Sequence, residues 1–158
     1  MIIFADTSTI GSAYLGDEAH GRWISDVILH GPDPVVISEF ADVEFASLLV
    51  RAKSDGRINA SEMAGCLAAY KEHTADDGPI GVVPITHDSF SRAQQFVLQV
   101  SIRTLDALHL ASAQLLADTN DDNVVVLTLD RRQAVAAQAL GLALYDAPAN
   151  PDRSREFC

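Results

Sequence analysis

The chain has 158 residues, which is enough for one domain with a sizeable core, and 48% of them are hydrophobic. Its formal net charge of −11 argues against a broadly basic surface for nucleic acid, but not against an enzyme that holds phosphate through metal ions in a local cleft. The two cysteines, Cys66 and Cys158, provide neither a disulfide framework nor the spacing of zinc ligands.

Short apolar runs alternate with helical patterns along the chain. Five runs rich in Val and Ile predict strands that are buried on both faces: Ile2–Ala5, Val35–Ser38, Gly81–Ile85, Val124–Leu129 and Leu142–Tyr145. Apolar residues at helical spacing predict seven helices: Ser8–Leu15, Glu18–Leu29, Ala41–Lys53, Ser61–His73, Ser89–Val100, Asp106–Ala117 and Arg131–Leu140. This alternation predicts an α/β domain with a mostly parallel sheet over residues 1–147, followed by a polar tail over residues 148–158.

Local sequence signals indicate where two helices start and whether the chain is a membrane protein. Asn59 with Glu62, and Asp130 with Gln133, have the spacing of a capping box. The N-terminus lacks the basic and apolar regions of a signal peptide, and no apolar run reaches membrane-spanning length. We therefore expect a cytoplasmic protein with no membrane partner.

Four acidic side chains follow or begin elements that meet at one edge of the predicted sheet. Asp6 directly follows the first strand and Asp130 the fourth, while Glu44 lies early in the helix after the second strand. With Thr104 as N-cap, Asp106 falls in the first turn of a strongly apolar helix. Of the four acids, it is the one that a purely structural role explains least well. Ligands of open parallel sheets collect at the carboxyl ends of the strands, so all four acids can meet there. An oxygen-only ligand set suits Mg²⁺ or Mn²⁺, a site of the kind that activates water at a phosphodiester.

Each of the other three acids also has a structural explanation. Asp6 can cap the first helix, and capping and metal binding carry equal weight for it. For Asp130, capping is favoured over metal binding, although the two roles are compatible because a carboxylate has two oxygens. Glu44 has two acidic neighbours, Glu39 and Asp42, but Asp42 lies on a different face of an ideal helix.

The segments around these acids resemble PIN-domain ribonucleases, and most closely the VapC-type toxins of bacterial toxin–antitoxin pairs. The resemblance runs in order through Ile2–Ser8, the Glu44 helix, Arg103–Ala111 and Thr128–Arg132. It implies a PIN-like three-layer domain with a five-stranded sheet flanked by helices. It also implies a Mg²⁺- or Mn²⁺-dependent endoribonuclease whose acidic positions are Asp6, Glu44, Asp106 and Asp130.

The resemblance leads to a hypothesis for the metal ligands and the partners. Asp6 and Asp106 would hold the principal ion, Glu44 would bind it directly or through water, and Asp130 would complete the shell or hold a second ion. Activated water would then attack the phosphorus of the RNA in line. The implied partners are a cognate antitoxin protein, an RNA substrate and a second copy of the chain. The helix that carries Trp23 belongs to the region that commonly contributes to an antitoxin groove in this family.

Several other polar residues each have one possible functional role and one possible structural role. The hydroxyl groups of three residues could orient the carboxylates, and capping of the backbone is an equally weighted alternative: Thr7, Ser8 and Thr128. His109 could reach the edge of the site, but a structural hydrogen bond is favoured for it. Arginines that could meet RNA phosphates, or pair with the many acids, are Arg103, Arg131 and Arg132.

Two other functions stay open at this stage. The chain could be an RNA-processing PIN nuclease without an antitoxin, or a non-catalytic binding module that keeps the fold. The presence of all four acids disfavours the binding module. An aspartyl phosphatase is also disfavoured, because Ser8 stands where its Asp-x-Asp motif needs a second acid.

Overall fold

The structure, a computed structural model, describes residues 1–16 and 20–146. The described residues form five strands: β1 (Ile2–Ala5), β2 (Val35–Ser38), β3 (Ile80–Val83), β4 (Val124–Leu127) and β5 (Ala143–Leu144). They also form seven helices: α1 (Thr7–Leu15), α2 (Gly21–His30), α3 (Phe40–Ser54), α4 (Ala60–His73), α5 (His87–Gln99), α6 (Thr104–Thr119) and α7 (Arg131–Ala139). The predicted start of the second helix at Glu18, the predicted tail and Cys158 lie outside the described residues.

The five strands form one sheet in the order β3-β2-β1-β4-β5, and every pairing in it is parallel. β1 is central, with Ile3 opposite Val35 of β2 and Val125 of β4. Every residue of β1 and β4 is buried, which is why these strands are continuous apolar runs rather than alternating ones. The predicted α/β class with a mostly parallel sheet is confirmed.

The helices cover both faces of the sheet and make three layers. Ile3 and Phe4 are adjacent in β1 but belong to different core clusters, because successive side chains of a strand point to opposite faces. The Phe4 cluster takes its helical residues from α5, α6 and α7, and the Ile3 cluster takes them from α1, α2, α3 and α4. In the second cluster, Phe45 of α3 is fully buried and stacks on Tyr70 of α4 with ring centroids 4.4 Å apart. This packing fixes the rotation of α3 and hence the direction of its neighbouring side chains.

Two predictions about helix starts need correction, and one is confirmed. Asn59 and Glu62 form the predicted capping box at the start of α4. Asp130 caps α7 by accepting from the backbone N–H groups of Arg132 and Gln133, but the Gln133 side chain is buried and contacts Thr128 instead of completing a box.

The start of α6 is the second correction. Thr104 is the first helical residue rather than the N-cap, and the N-cap is Arg103, whose side chain makes no capping hydrogen bond. Arg103 instead pairs with Asp106 one turn later, which neutralises the acid in the first turn. Asp106 itself lies in that first turn, as predicted.

The remaining sequence observations concern Cys66 and the membrane. Cys66 is half-buried in α4, where burial raises the pKa of its thiol, and it packs against the edge of the Ile3 cluster. Among the described helices, none combines the length and the hydropathy that crossing a bilayer requires.

Candidate active site

The four predicted acids line one cavity of about 210 Å³ at the carboxyl edge of the sheet. Asp6 reaches it from the end of β1, Glu44 from α3, Asp106 from the first turn of α6 and Asp130 from the turn between β4 and α7. These positions are spread along the chain between residues 6 and 130, and they meet because parallel strands end at the same edge.

Asp6 is held by a set of hydroxyl groups. It is the N-cap of α1, and its Oδ1 accepts from the backbone nitrogen of Thr9 at 2.9 Å and from the Thr9 hydroxyl at 2.6 Å. Ser8 Oγ lies 2.8 and 2.9 Å from its two oxygens, and Thr128 donates to Oδ2 at 2.7 Å. Asp6 is only 4% exposed, so these donors replace the water that its carboxylate loses on folding. Asp6 is therefore a cap and a cavity residue at the same time.

Glu44 accepts hydrogen bonds from two side chains, those of Thr7 and His109. Its Oε2 lies 2.5 Å from both Thr7 Oγ1 and His109 Nε2. His109 is 3% exposed, and its Nδ1 lies 2.9 Å from Ser38 Oγ, so a Ser38 hydroxyl that donates to Nδ1 leaves Nε2–H to donate to Glu44. Burial alone would raise the pKa of Glu44, but the hydrogen bonds from His109 and Thr7 outweigh it and lower that pKa. His109 thus makes the structural hydrogen bond that the sequence favoured and also lines the site.

The structure distinguishes Glu44 from its two acidic neighbours. Glu39 is exposed at the start of α3, and Asp42 is exposed on a different face, where it accepts from the Tyr70 hydroxyl at 2.7 Å. The buried Phe45 fixes the helix so that Glu44 alone of the three lines the cavity.

Asp106 and Asp130 share a single arginine. Arg103 Nε donates to Asp106 at 2.7 Å, and one of its terminal nitrogens donates to Asp130 at 2.6 Å. Burial would raise the pKa of Asp130, but the two backbone N–H groups at the start of α7 and the charge of Arg103 together lower it. The hydrogen bonds to Asp106 are the main reason that the pKa of Arg103 is raised.

The residues present fit a divalent cation in their chemistry, although they do not form a preassembled site. Among residues 1–16 and 20–146, no three acidic, histidine or cysteine side chains are grouped closely enough to hold an ion. The cavity is nevertheless lined by carboxylate oxygens, the donors that Mg²⁺ and Mn²⁺ take. A guanidinium already bridges Asp106 and Asp130, so a positive charge is accommodated between them.

The cavity adjoins a larger cleft of about 890 Å³. Asp106, Asp130 and Arg103 line both spaces, and the cleft is also lined by Arg131 and Arg132. All three arginines noted in the sequence therefore flank the acids. In a chain of net charge −11, they place local positive charge where a phosphate could approach.

Gln133 is a site residue that the sequence did not identify. Its side chain is 1% exposed, lines the cavity and lies 2.9 Å from Thr128 Oγ1, while its amide nitrogen has no partner among the described residues. The hydroxyl of Thr128 has one hydrogen, which it donates to Asp6. An amide that turns its nitrogen towards Thr128 completes a chain of donors from Gln133 through Thr128 to Asp6. The capping-box spacing concealed this role, because it assigned the Gln133 side chain to the backbone.

Comparison with known proteins identifies the family and agrees with the fold. The family model described as PIN domain matches residues 3–139. The crystal structure of Mycobacterium tuberculosis VapC20, a toxin that cleaves the sarcin–ricin loop, is similar with a TM-score of 0.61 and 18% identity, covering 85% of this chain and 94% of that chain. The structure of VapBC2 from Rickettsia felis, bound to a DNA fragment from their promoter, has a TM-score of 0.63 and 13% identity, covering 92% and 98% of the two chains. No curated protein matches the sequence significantly.

Both structural matches show the fold, and the family match extends over most of the chain. The family that the four sequence segments predicted is thereby confirmed. The chain belongs to the PIN domain family.

Proposed function

We propose that this PIN-domain protein is a Mg²⁺- or Mn²⁺-dependent endoribonuclease and the toxin of a toxin–antitoxin pair. The observation that carries the proposal is the meeting of Asp6, Glu44, Asp106 and Asp130 at one cavity that adjoins an arginine-lined cleft. Membership of the PIN domain family supports nuclease chemistry. VapC20, which shares the fold, cleaves the sarcin–ricin loop, and this supports RNA as the substrate class.

The four carboxylates would bind the cation in different ways. Asp6 and Asp106 would hold the principal ion, Glu44 would bind it directly or through water, and Asp130 would complete the shell or hold a second ion. A divalent cation bound there supplies Lewis-acid stabilisation of the charge that develops at a phosphodiester, and it lowers the pKa of water.

The chain's own residues hold these carboxylates in place. The hydroxyls of Ser8, Thr9 and Thr128 fix Asp6, and His109 fixes Glu44. Such supporting hydrogen bonds orient the ligands of a metal and tune their basicity. In the adjoining cleft, arginine side chains would bind the phosphates on either side of the scissile bond.

The partners form the second part of the proposal. The Rickettsia felis structure is of VapBC2 bound to promoter DNA, and on that likeness we propose that this chain binds a cognate antitoxin. We also propose a homodimer and a cytoplasmic location. A basic antitoxin segment would complement the acidic balance of this chain.

Asp106→Asn tests the proposal, with Asp118→Asn as its control. Asp118 lies at the other end of the same helix, where it pairs with Arg92 at 3.1 Å, so the two variants make the same chemical change inside and outside the cavity. We expect expression of the wild type and of Asp118→Asn to arrest growth and to produce Mg²⁺-dependent RNA cleavage. In Asp106→Asn, cleavage should fall by about 10²–10³-fold and growth arrest should disappear.

Two results would count against the proposal in different ways. An Asp106→Asn protein that cuts RNA as well as the wild type would remove Asp106 from the catalytic site. A wild type that cleaves RNA without arresting growth would contradict the toxin role and leave the nuclease in place.

A further inference from the structure

Arg103 lies across the boundary between the cavity and the cleft. It is the N-cap residue of α6, and its guanidinium reaches Asp106 through Nε at 2.7 Å and a terminal nitrogen at 3.3 Å. The same terminal nitrogen reaches Asp130 at 2.6 Å. One flexible side chain thus joins two carboxylates that belong to different elements.

These are two of the carboxylates that the proposed function assigns to the divalent cation. Asp106 Oδ2 and Asp130 Oδ2 each accept a short hydrogen bond from the guanidinium, which occupies the space between them. A divalent cation drawn to the same oxygens would meet a like charge at close range, and the repulsion would oppose its binding. The guanidinium and the ion therefore compete for one position.

The surroundings leave Arg103 free to move. Its side chain is 63% exposed, and it lines the cleft of about 890 Å³ as well as the cavity. Ion pairs this exposed contribute little stability, so a divalent cation can displace them at small cost. The displaced guanidinium would enter a space already lined by Arg131 and Arg132.

We propose that Arg103 is an internal counterion, which neutralises Asp106 and Asp130 in the metal-free protein and swings into the cleft when a divalent cation binds. The proposal rests on the metal dependence of the proposed function and adds an exchange of cations within the site. The position of the Arg103 side chain thus depends on whether the metal is bound. The exchange also explains why like charges can lie so close together before an ion arrives.

Mn²⁺ binding to three metal-free proteins tests the exchange: the wild type, Arg103→Gln and Arg132→Gln. Arg132 lines the same cleft and has the same charge, but it bonds to Asp130 through its backbone nitrogen. In a titration followed by electron paramagnetic resonance, we expect Arg103→Gln to bind Mn²⁺ about three- to tenfold more tightly than the wild type, because an exposed pair no longer has to be broken. Arg132→Gln should bind like the wild type.

A nuclear magnetic resonance measurement follows the side chain itself in the wild type. The Arg103 Nε–H signal, assigned by its loss in Arg103→Gln, should shift towards that of a solvent-exposed arginine as Mg²⁺ is added. A signal unchanged at saturating Mg²⁺, an unchanged affinity in Arg103→Gln, or an equal gain in Arg132→Gln would each overturn the exchange. If the wild type bound no Mn²⁺ at all, the exchange and the metal dependence would both be wrong.

Discussion

Thr128→Val is the change that best tests how the site is built. Thr128 donates its hydroxyl hydrogen to Asp6 at 2.7 Å and accepts from the backbone nitrogen of Asp130 at 3.0 Å. Valine has nearly the same shape, so the substitution removes these hydrogen bonds without leaving a cavity. The measured effect is therefore that of the hydroxyl alone.

The structure sets the size of the expected effect. A hydrogen bond to a charged group contributes about 1.5–3 kcal/mol. The carboxylate of Asp6 is 4% exposed but keeps its donors from Ser8 and Thr9, so the loss should lie in the lower half of that range, at about 2 kcal/mol in the free energy of unfolding. Because the hydroxyl also orients a proposed metal ligand, Mn²⁺ affinity should fall by about 10–100-fold.

Urea denaturation of the metal-free protein and Mn²⁺ titration measure these two effects, with Thr128→Ser as the control. Serine keeps the hydroxyl, so its loss of stability should be smaller and its Mn²⁺ affinity close to that of the wild type. If Thr128→Val were as stable as the wild type and bound Mn²⁺ equally well, the hydroxyl would not support Asp6. If serine lost as much affinity as valine, the methyl group rather than the hydrogen bond would be responsible.

Two further predictions concern α3 and the contact that it makes with Tyr70 of α4. Glu44→Gln should lower RNA cleavage by about 10–100-fold, whereas Asp42→Asn, on the exposed face, should keep the wild-type rate; equal losses in a cleavage assay would contradict the choice of Glu44. Burial and the hydrogen bond to Asp42 raise the pKa of Tyr70 above its usual range. Because the folded pKa exceeds the unfolded value of about 10, stability is present below that pH and should fall by up to about 1.4 kcal/mol per pH unit above it. Urea denaturation at several alkaline pH values should show this fall in the wild type, and the profile of Tyr70→Phe should be flatter by that amount.

Hydrophobic patterning was sufficient to predict the sheet. Strands β1 and β4 are buried on both faces, so their sequences are unbroken runs of apolar residues. The boundaries were less accurate where burial is partial. The third strand is Ile80–Val83 rather than Gly81–Ile85, and the last one is reduced to Ala143–Leu144.

The positions of the acids could also be predicted, because they follow from the rule that parallel strands end at one edge. Their partners could not. His109 reaches Ser38 and Glu44 across 71 and 65 positions of sequence, and Arg103 reaches Asp130 across 27. Such contacts depend on how helices pack on the two sides of the sheet, which no local pattern encodes. Local spacing was even misleading for Gln133, whose position three residues after a cap suggested a capping role.

The fold and the site share one set of interactions at this edge of the sheet. Asp6 and Asp130 are the N-caps of α1 and α7, and Asp106 lies in the first turn of α6, so each faces the positive end of a helix dipole. Helix N-termini stabilise ionised carboxylates, which offsets part of the repulsion among acids gathered in one cavity. Asparagine caps a helix about as well as aspartate does. At the two N-caps, a change from aspartate to asparagine therefore removes charge from the cavity while it preserves the helix start, so that a loss of cleavage in such a variant reports on the chemistry of the site rather than on the fold.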